Sequence, residues 1–150
     1  MRIIMTTALL SSLLFATLAA QDSEKKVKMR DVPAAVQQAI KEQSRGATLR
    51  GVATEVEDGQ TVYEAELKVN GHSKDITFDA QGAIVSVEEE TRLDQVPSAA
   101  REAIQKAAAN GKLGEIEKVT EGGKIFYEAQ VNRRGKKSEV KVDASGQPIK

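Results

Sequence analysis

The stretch from Val32 to Gly82 returns, without a gap, from Val96 to Gly146. Val32-Pro33 answers Val96-Pro97, Ala39-Ile40 answers Ala103-Ile104, Tyr63-Glu64-Ala65 answers Tyr127-Glu128-Ala129, and Asp79-Ala80-Gln81-Gly82 answers Asp143-Ala144-Ser145-Gly146. Self-similarity at a fixed spacing marks two copies of one supersecondary unit. The fold question therefore reduces to one short unit and the way two of them meet.

Within the first copy, Asp31-Val32-Pro33 reads as a helix start, with Asp31 as cap and Pro33 in the first turn, where a missing N–H costs nothing. Ala35, Val36, Ala39 and Ile40 fall at helical spacing, and Gly46 ends the helix after about Arg45. The period then switches to two. Leu49 to Glu57 and Thr61 to Val69 form strands around Asp58-Gly59, with Tyr63, Ala65, Leu67 and Val69 inward and Glu64, Glu66 and Lys68 outward. Asn70-Gly71 supplies the positive φ angles of a type I′ hairpin. His72 to Asp79 follows with Ile76 and Phe78 inward and Asp75 and Thr77 outward. The Asp79–Gly82 turn leads to a last strand, Ala83 to Glu88.

The second copy repeats the order. Its helix runs from Pro97 to Ala109 with Ala99, Ala103, Ile104 and Ala107 inward. Strands follow at Leu113 to Glu121, Lys124 to Asn132 (Ile125, Tyr127, Ala129 and Val131 inward) and Lys136 to Asp143 (Val140 and Val142 inward). Only Gln147 to Lys150 remain for a fourth strand, and Pro148 confines that piece to an edge or to no strand. The expected fold is α+β: two tandem modules, 30–90 and 91–150, each one helix packed on an antiparallel sheet of about four strands. Units this small are marginal alone, so the two sheets are expected to align side by side, joined by the charged connector Glu88 to Leu93.

The first twenty residues carry a charged start at Arg2, an apolar run from Ile3 to Leu18 and the small residues Ala19-Ala20, the pattern of a secretory signal. The expected location is periplasmic or secreted, with 21–29 as a flexible lead-in and no stable membrane insertion once the signal is cleaved. There is no cysteine, so stability comes from packing alone. With 22 basic and 22 acidic side chains, no global field points to nucleic acid.

Catalytic chemistry finds no purchase. Nucleophilic catalysis needs an activated Ser, Cys or Thr beside an oriented base, and the single histidine, His72, follows a hairpin turn. No metal site and no cofactor is expected. Two surface features remain. The outward face holds Glu64, Glu66, Glu128 and Gln130, with Lys141, and reads first as a solvated sheet surface. The hairpin Arg133, Arg134, Gly135, Lys136, Lys137 is the densest charge cluster, whereas its counterpart Val69 to Ser73 is nearly neutral. Together they mark an exported, non-enzymatic module that contacts a protein partner. The alternative is an envelope carrier of a small ligand or divalent cation on the acidic face.

The Val-Pro before an Ala/Ile-rich helix, the central Tyr-Glu-Ala strand and the Asp-Ala-x-Gly turn make both copies resemble the PepSY-like family grouped with β-lactamase-inhibitor-like domains. The resemblance implies an exported bacterial binding or inhibitory module, with inhibition of a peptidase or hydrolase as the form it suggests. The chain departs from disulfide-bearing, aromatic-surfaced inhibitors of that architecture, since it has no Cys and no Trp.

Overall fold

The computed structural model describes residues 24–57 and 59–149; the leader read at the N-terminus lies outside them. Helix α1 (Ala34–Gln43) begins on Pro33, and no side chain caps it, so Asp31 does not play the capping part expected of it and instead closes a short 3-10 turn. Its far end is closed by Ser44, whose hydroxyl donates to the Ile40 carbonyl. Helix α2 (Ser98–Ala108) starts in the same way on Pro97.

The strands are β1 (Lys25–Val27), β2 (Thr48–Glu57), β3 (Gln60–Val69), β4 (His72–Phe78), β5 (Ile84–Glu90), β6 (Lys112–Glu121), β7 (Lys124–Arg133) and β8 (Lys136–Asp143). They form one antiparallel sheet in sequence order. Two corrections follow. The chain does not build two separate four-stranded sheets: Ser86 to Glu90, read partly as a connector, pairs with Glu121 to Glu117 and is the seam between the halves. The lead-in is also partly ordered. Lys25↔Thr54 and Lys26↔Ala53 pair in the register of their repeat counterparts Glu89↔Lys118 and Glu90↔Glu117, so β1 is a shortened image of the seam strand.

One sheet carries two cores on its helix-bearing face. Val32, Val36, Ile40, Val52, Ala65, Leu67, Ile76 and Phe78 pack under α1, with Tyr63 against them. Val96, Ala100, Ile104, Ile116, Tyr127, Ala129 and Val142 pack under α2. At two positions the second core has less bulk, with Ala100 for Val36 and Val142 for Phe78, and at one it has more, with Ile116 for Val52. Its helix buries Ala100 and Ala108 rather than the expected Ala99 and Ala107, which are exposed. Ile125 was expected inward, but it sits one pair beyond the reach of the core, opposite Thr120, and is about half exposed. The C-terminal piece keeps a single bridge, Val142↔Pro148, with the Ile149 N–H donating to the Lys141 carbonyl.

The repeated turns explain themselves in place. The Asp79 carboxylate accepts from the backbone N–H of Gln81 and Ala83, and Asp143 accepts from those of Ser145 and Gln147. These carboxylates hold turns, as side chains of this length do. Asn70 and Gly71 take φ of 50° and 90°, as the type I′ hairpin requires.

Candidate functional site

The face of the sheet away from the helices is built by alternation: residues that skip the cores point there. It takes Glu64 and Glu66 from β3, Asp75 and Thr77 from β4, Ser86 and Glu88 from β5, Glu117 and Val119 from β6, and Phe126, Glu128 and Gln130 from β7. Lys141 and Glu139 close it on β8. Register places like charges directly opposite: Asp75 faces Glu88, and Glu117 faces Glu128.

This face is not the wet exterior expected of it. Ala53, Val62, Val119 and Phe126 point there and are buried, as are Thr77, Ser86 and Glu128, although among the described residues no helix covers them. The cause is curvature. Register shifts at Leu49/Gly51, Thr77/Phe78 and Leu113/Ile116 bend the strands, since a bulge adds local twist and bend. As a result Glu57 near the end of β2 lines the same hollow of about 140 Å³ as Glu88, Val119, Glu128 and Lys141. A wider depression of about 670 Å³ opens at the rim, where Ile125, Ile149 and Lys124 adjoin Phe126 and Lys141.

Curvature takes water from the carboxylates. Burial, with Asp75 and Glu55 nearby, pushes Glu64 up to about 8. Burial raises Asp75 to about 6, and raises Glu88 and Glu117 to about 7, each helped by neighbouring acids. Burial lifts Glu128 as well, and the opposing pull of Lys141, at 2.6 Å, does not cancel it. Glu66 is answered by Lys26 at 3.1 Å. Glu88 and Glu128 line the hollow itself, with Glu64, Asp75 and Glu117 on the same face beside it, and the face as a whole favours a proton or another cationic group over bare charge. Among the described residues, no group of three or more His, Cys, Asp or Glu is placed to hold a metal ion.

The sites expected from the sequence divide in two. Glu64, Glu66, Glu128, Gln130 and Lys141 do share the concave face. Arg134, Lys136 and Lys137 stand exposed at the β7–β8 tip, but Arg133 turns back: its guanidinium donates to the Ala107 carbonyl at the end of α2 and to the Ser138 hydroxyl. It ties hairpin to helix, where a cation also suits the helix dipole. The sequence reading missed Glu117 and gave Asp75 and Glu88 no role. Their alternation was visible; their adjacency was not, because the seam was read as a connector.

These shifts set an unusual pH dependence. Carboxylates with folded pKa values above their unfolded ones hold protons that the unfolded chain releases, so their ionisation destabilises the fold as pH rises from about 4.5 to about 8. Stability is expected to fall by about 2 kcal/mol between pH 5 and pH 8, after allowance for solvent screening. Urea denaturation at the two values checks this, and Glu64→Gln with Glu117→Gln should flatten the difference.

The sequence matches the family described as "Putative beta-lactamase-inhibitor-like, PepSY-like" twice, over residues 20–86 and 61–150. The chain belongs to this family. Solved structures share the fold: a "putative periplasmic" protein of Bacteroides eggerthii (22% identity, 79% of this chain and 86% of that one, TM-score 0.64) and a DUF2874 family protein of Bacteroides uniformis (24%, 79% and 87%, TM-score 0.63). A BLIP-like protein of Bacteroides fragilis shares it too (21%, 79% and 84%, TM-score 0.56). No curated protein matches the chain. Among the described residues of this PepSY-like protein, no helix is long and apolar enough to cross a membrane.

Proposed function

We propose that this PepSY-like chain is an exported, non-enzymatic module that binds a protein partner through the concave carboxylate face, with the basic hairpin as a second contact at the rim. One observation carries the reading: the sheet curls around a face that no helix among the described residues covers, and it carries the half-buried carboxylates Glu64, Asp75, Glu88 and Glu117 and the buried Glu128. Such a face gains most from Lys and Arg side chains of a partner, whose charge replaces the lost hydration. The β-lactamase-inhibitor-like description of the family supports an inhibitory use against a peptidase or hydrolase. The apolar leader from Ile3 to Leu18 and the periplasmic description of the Bacteroides eggerthii neighbour support the envelope as its place.

Capture from an envelope extract tests this with variants of each surface. A specific partner retained by the parent chain should be lost with Glu64→Gln, Glu88→Gln and Glu117→Gln together. It should be weakened with Arg134→Ala, Lys136→Ala and Lys137→Ala, and released by salt. A partner retained equally by all three proteins contradicts the reading.

A further inference from the structure

The densest charge cluster of the chain sits at the hairpin that opens the last strand of the sheet, and the first copy of the repeat shows what such a strand is built to receive. The turn residues Arg134 and Gly135 have φ of 53° and 83°, and they close the hairpin on the pair Arg133↔Lys136. In a two-residue hairpin of this kind the closing pair exchanges backbone hydrogen bonds, so bonding to β7 alternates from there. Lys137, Glu139 and Lys141 therefore turn their N–H and C=O groups away from β7. The Lys141 carbonyl accepts from the Ile149 N–H at 3.0 Å. Beside Lys137 and Glu139 no strand lies among the described residues.

In the first copy the same edge is filled. β5 lies along β4 with Ile76↔Val87, Asp75↔Glu88 and Lys74↔Glu89. Beyond them the Glu90 carboxylate accepts from the Ser73 N–H at 2.8 Å and stands 3.4 Å from His72 Nδ1. The bridge Val142↔Pro148 is the repeat counterpart of Phe78↔Ile84, so the second copy holds the same register where the two are comparable. Continuing that register sets the equivalents of Val87, Glu88, Glu89 and Glu90 beside Val140, Glu139, Ser138 and Lys137.

We propose that the outer edge of β8 accepts an extended, acidic segment of a partner protein as an added antiparallel strand, in the place that β5 takes beside β4. Charge selects the occupant. Where β4 offers His72 and Ser73 to Glu90, β8 offers Lys136 and Lys137 behind Arg134, all exposed. An acidic run there meets an outward N–H and several cations together, which is how strand addition obtains both affinity and choice. A second copy of this chain fits poorly edge to edge, because its opposite edge strand carries Lys25 and Lys26 and is followed by Lys28. Like charges across such a contact repel. The inference rests on the reading of the chain as a protein-binding module and gives the basic hairpin its role.

The probe is a synthetic peptide of residues 84–92, carrying the seam strand's own sequence, titrated into the purified chain. Saturable binding at about 10–200 µM in low salt is expected. N-methylation of the peptide at Glu88 and Glu90 should weaken it at least about tenfold, as should Glu139→Pro or Lys136→Glu with Lys137→Glu in the protein. If Glu139→Pro fails to fold, the N-methylated peptide decides alone. No saturation by about 1 mM overturns the proposal. So does equal binding of the N-methylated peptide, which means charge without strand pairing, and so does concentration-dependent dimerisation that the peptide does not reverse. Glu64→Gln with Glu117→Gln should leave peptide binding unchanged, so failure of the concave face and failure of this edge are separate results.

Discussion

Replacing Phe78 with Ala is expected to destabilise the whole chain by about 3–5 kcal/mol, the usual cost of emptying a buried aromatic site. Phe78 is fully buried and lies opposite Tyr63 on β3. The loss should not stay in the first half. β4 holds β5, and β5 is the strand on which β6 closes, so loosening the first core uncovers the edge of the second half. Tyr63 and Tyr127 give one fluorescent reporter per half, with no Trp to obscure them. In Tyr127→Phe and Tyr63→Phe backgrounds, both reporters should shift to the same lower urea midpoint. A shift confined to Tyr63 would mean that the halves fold separately.

Alanine at Gly146 is expected to cost about 2–4 kcal/mol, and alanine at Gly82 nearly as much, because two penalties coincide there. Both glycines have positive φ, 82° and 81°. A Cβ would also stand 2.6 Å from the Ala99 carbonyl oxygen at Gly146 and 2.8 Å from that of Ala35 at Gly82. The obstacle is helix backbone, which cannot swing aside. Gly135 is the control: its φ is 83°, but a Cβ there meets nothing within 4 Å. Gly135→Ala should cost about 1 kcal/mol, the conformational part alone. Thermal melts of the three variants separate close approach from backbone strain.

These glycines show how far the sequence could be read. The repeat, both helices and seven of the strands were visible from periodicity, and so was the Asp-Ala-x-Gly turn. Its reason was not visible. The turn tucks beneath the helix of its own copy, so Ala39 and Ala103 are small because Gly82 and Gly146 approach them; nothing in the period of either element reveals that contact. β1 was missed because three residues, two of them Lys, carry no alternation, and its pairing is legible only by laying it over Glu89 and Glu90 one repeat later.

The candidate site was half legible for a related reason. Glu64, Glu66, Glu128, Gln130 and Lys141 share one face, since alternation within a strand decides that. Whether such a face is wet depends on how far the sheet curls, and the bulges near Gly51, Phe78 and Gly114 leave only weak marks in the sequence. Asp75, Glu88 and Glu117 become neighbours through the seam, a pairing between copies that no pattern within a copy displays.

Carboxyl-carbon NMR titration of the intact chain from pH 4 to pH 9 tests most directly whether the curled sheet holds its acids out of water. Glu64 should titrate near 8, and Glu88 and Glu117 near 7, while Glu90 and Asp143, gripped by hydrogen bonds at the surface, fall below their ordinary ranges. If Glu64, Glu88 and Glu117 all titrate as free side chains do, near about 4.3, then the face is an open, solvated surface and the account of the hollow is wrong.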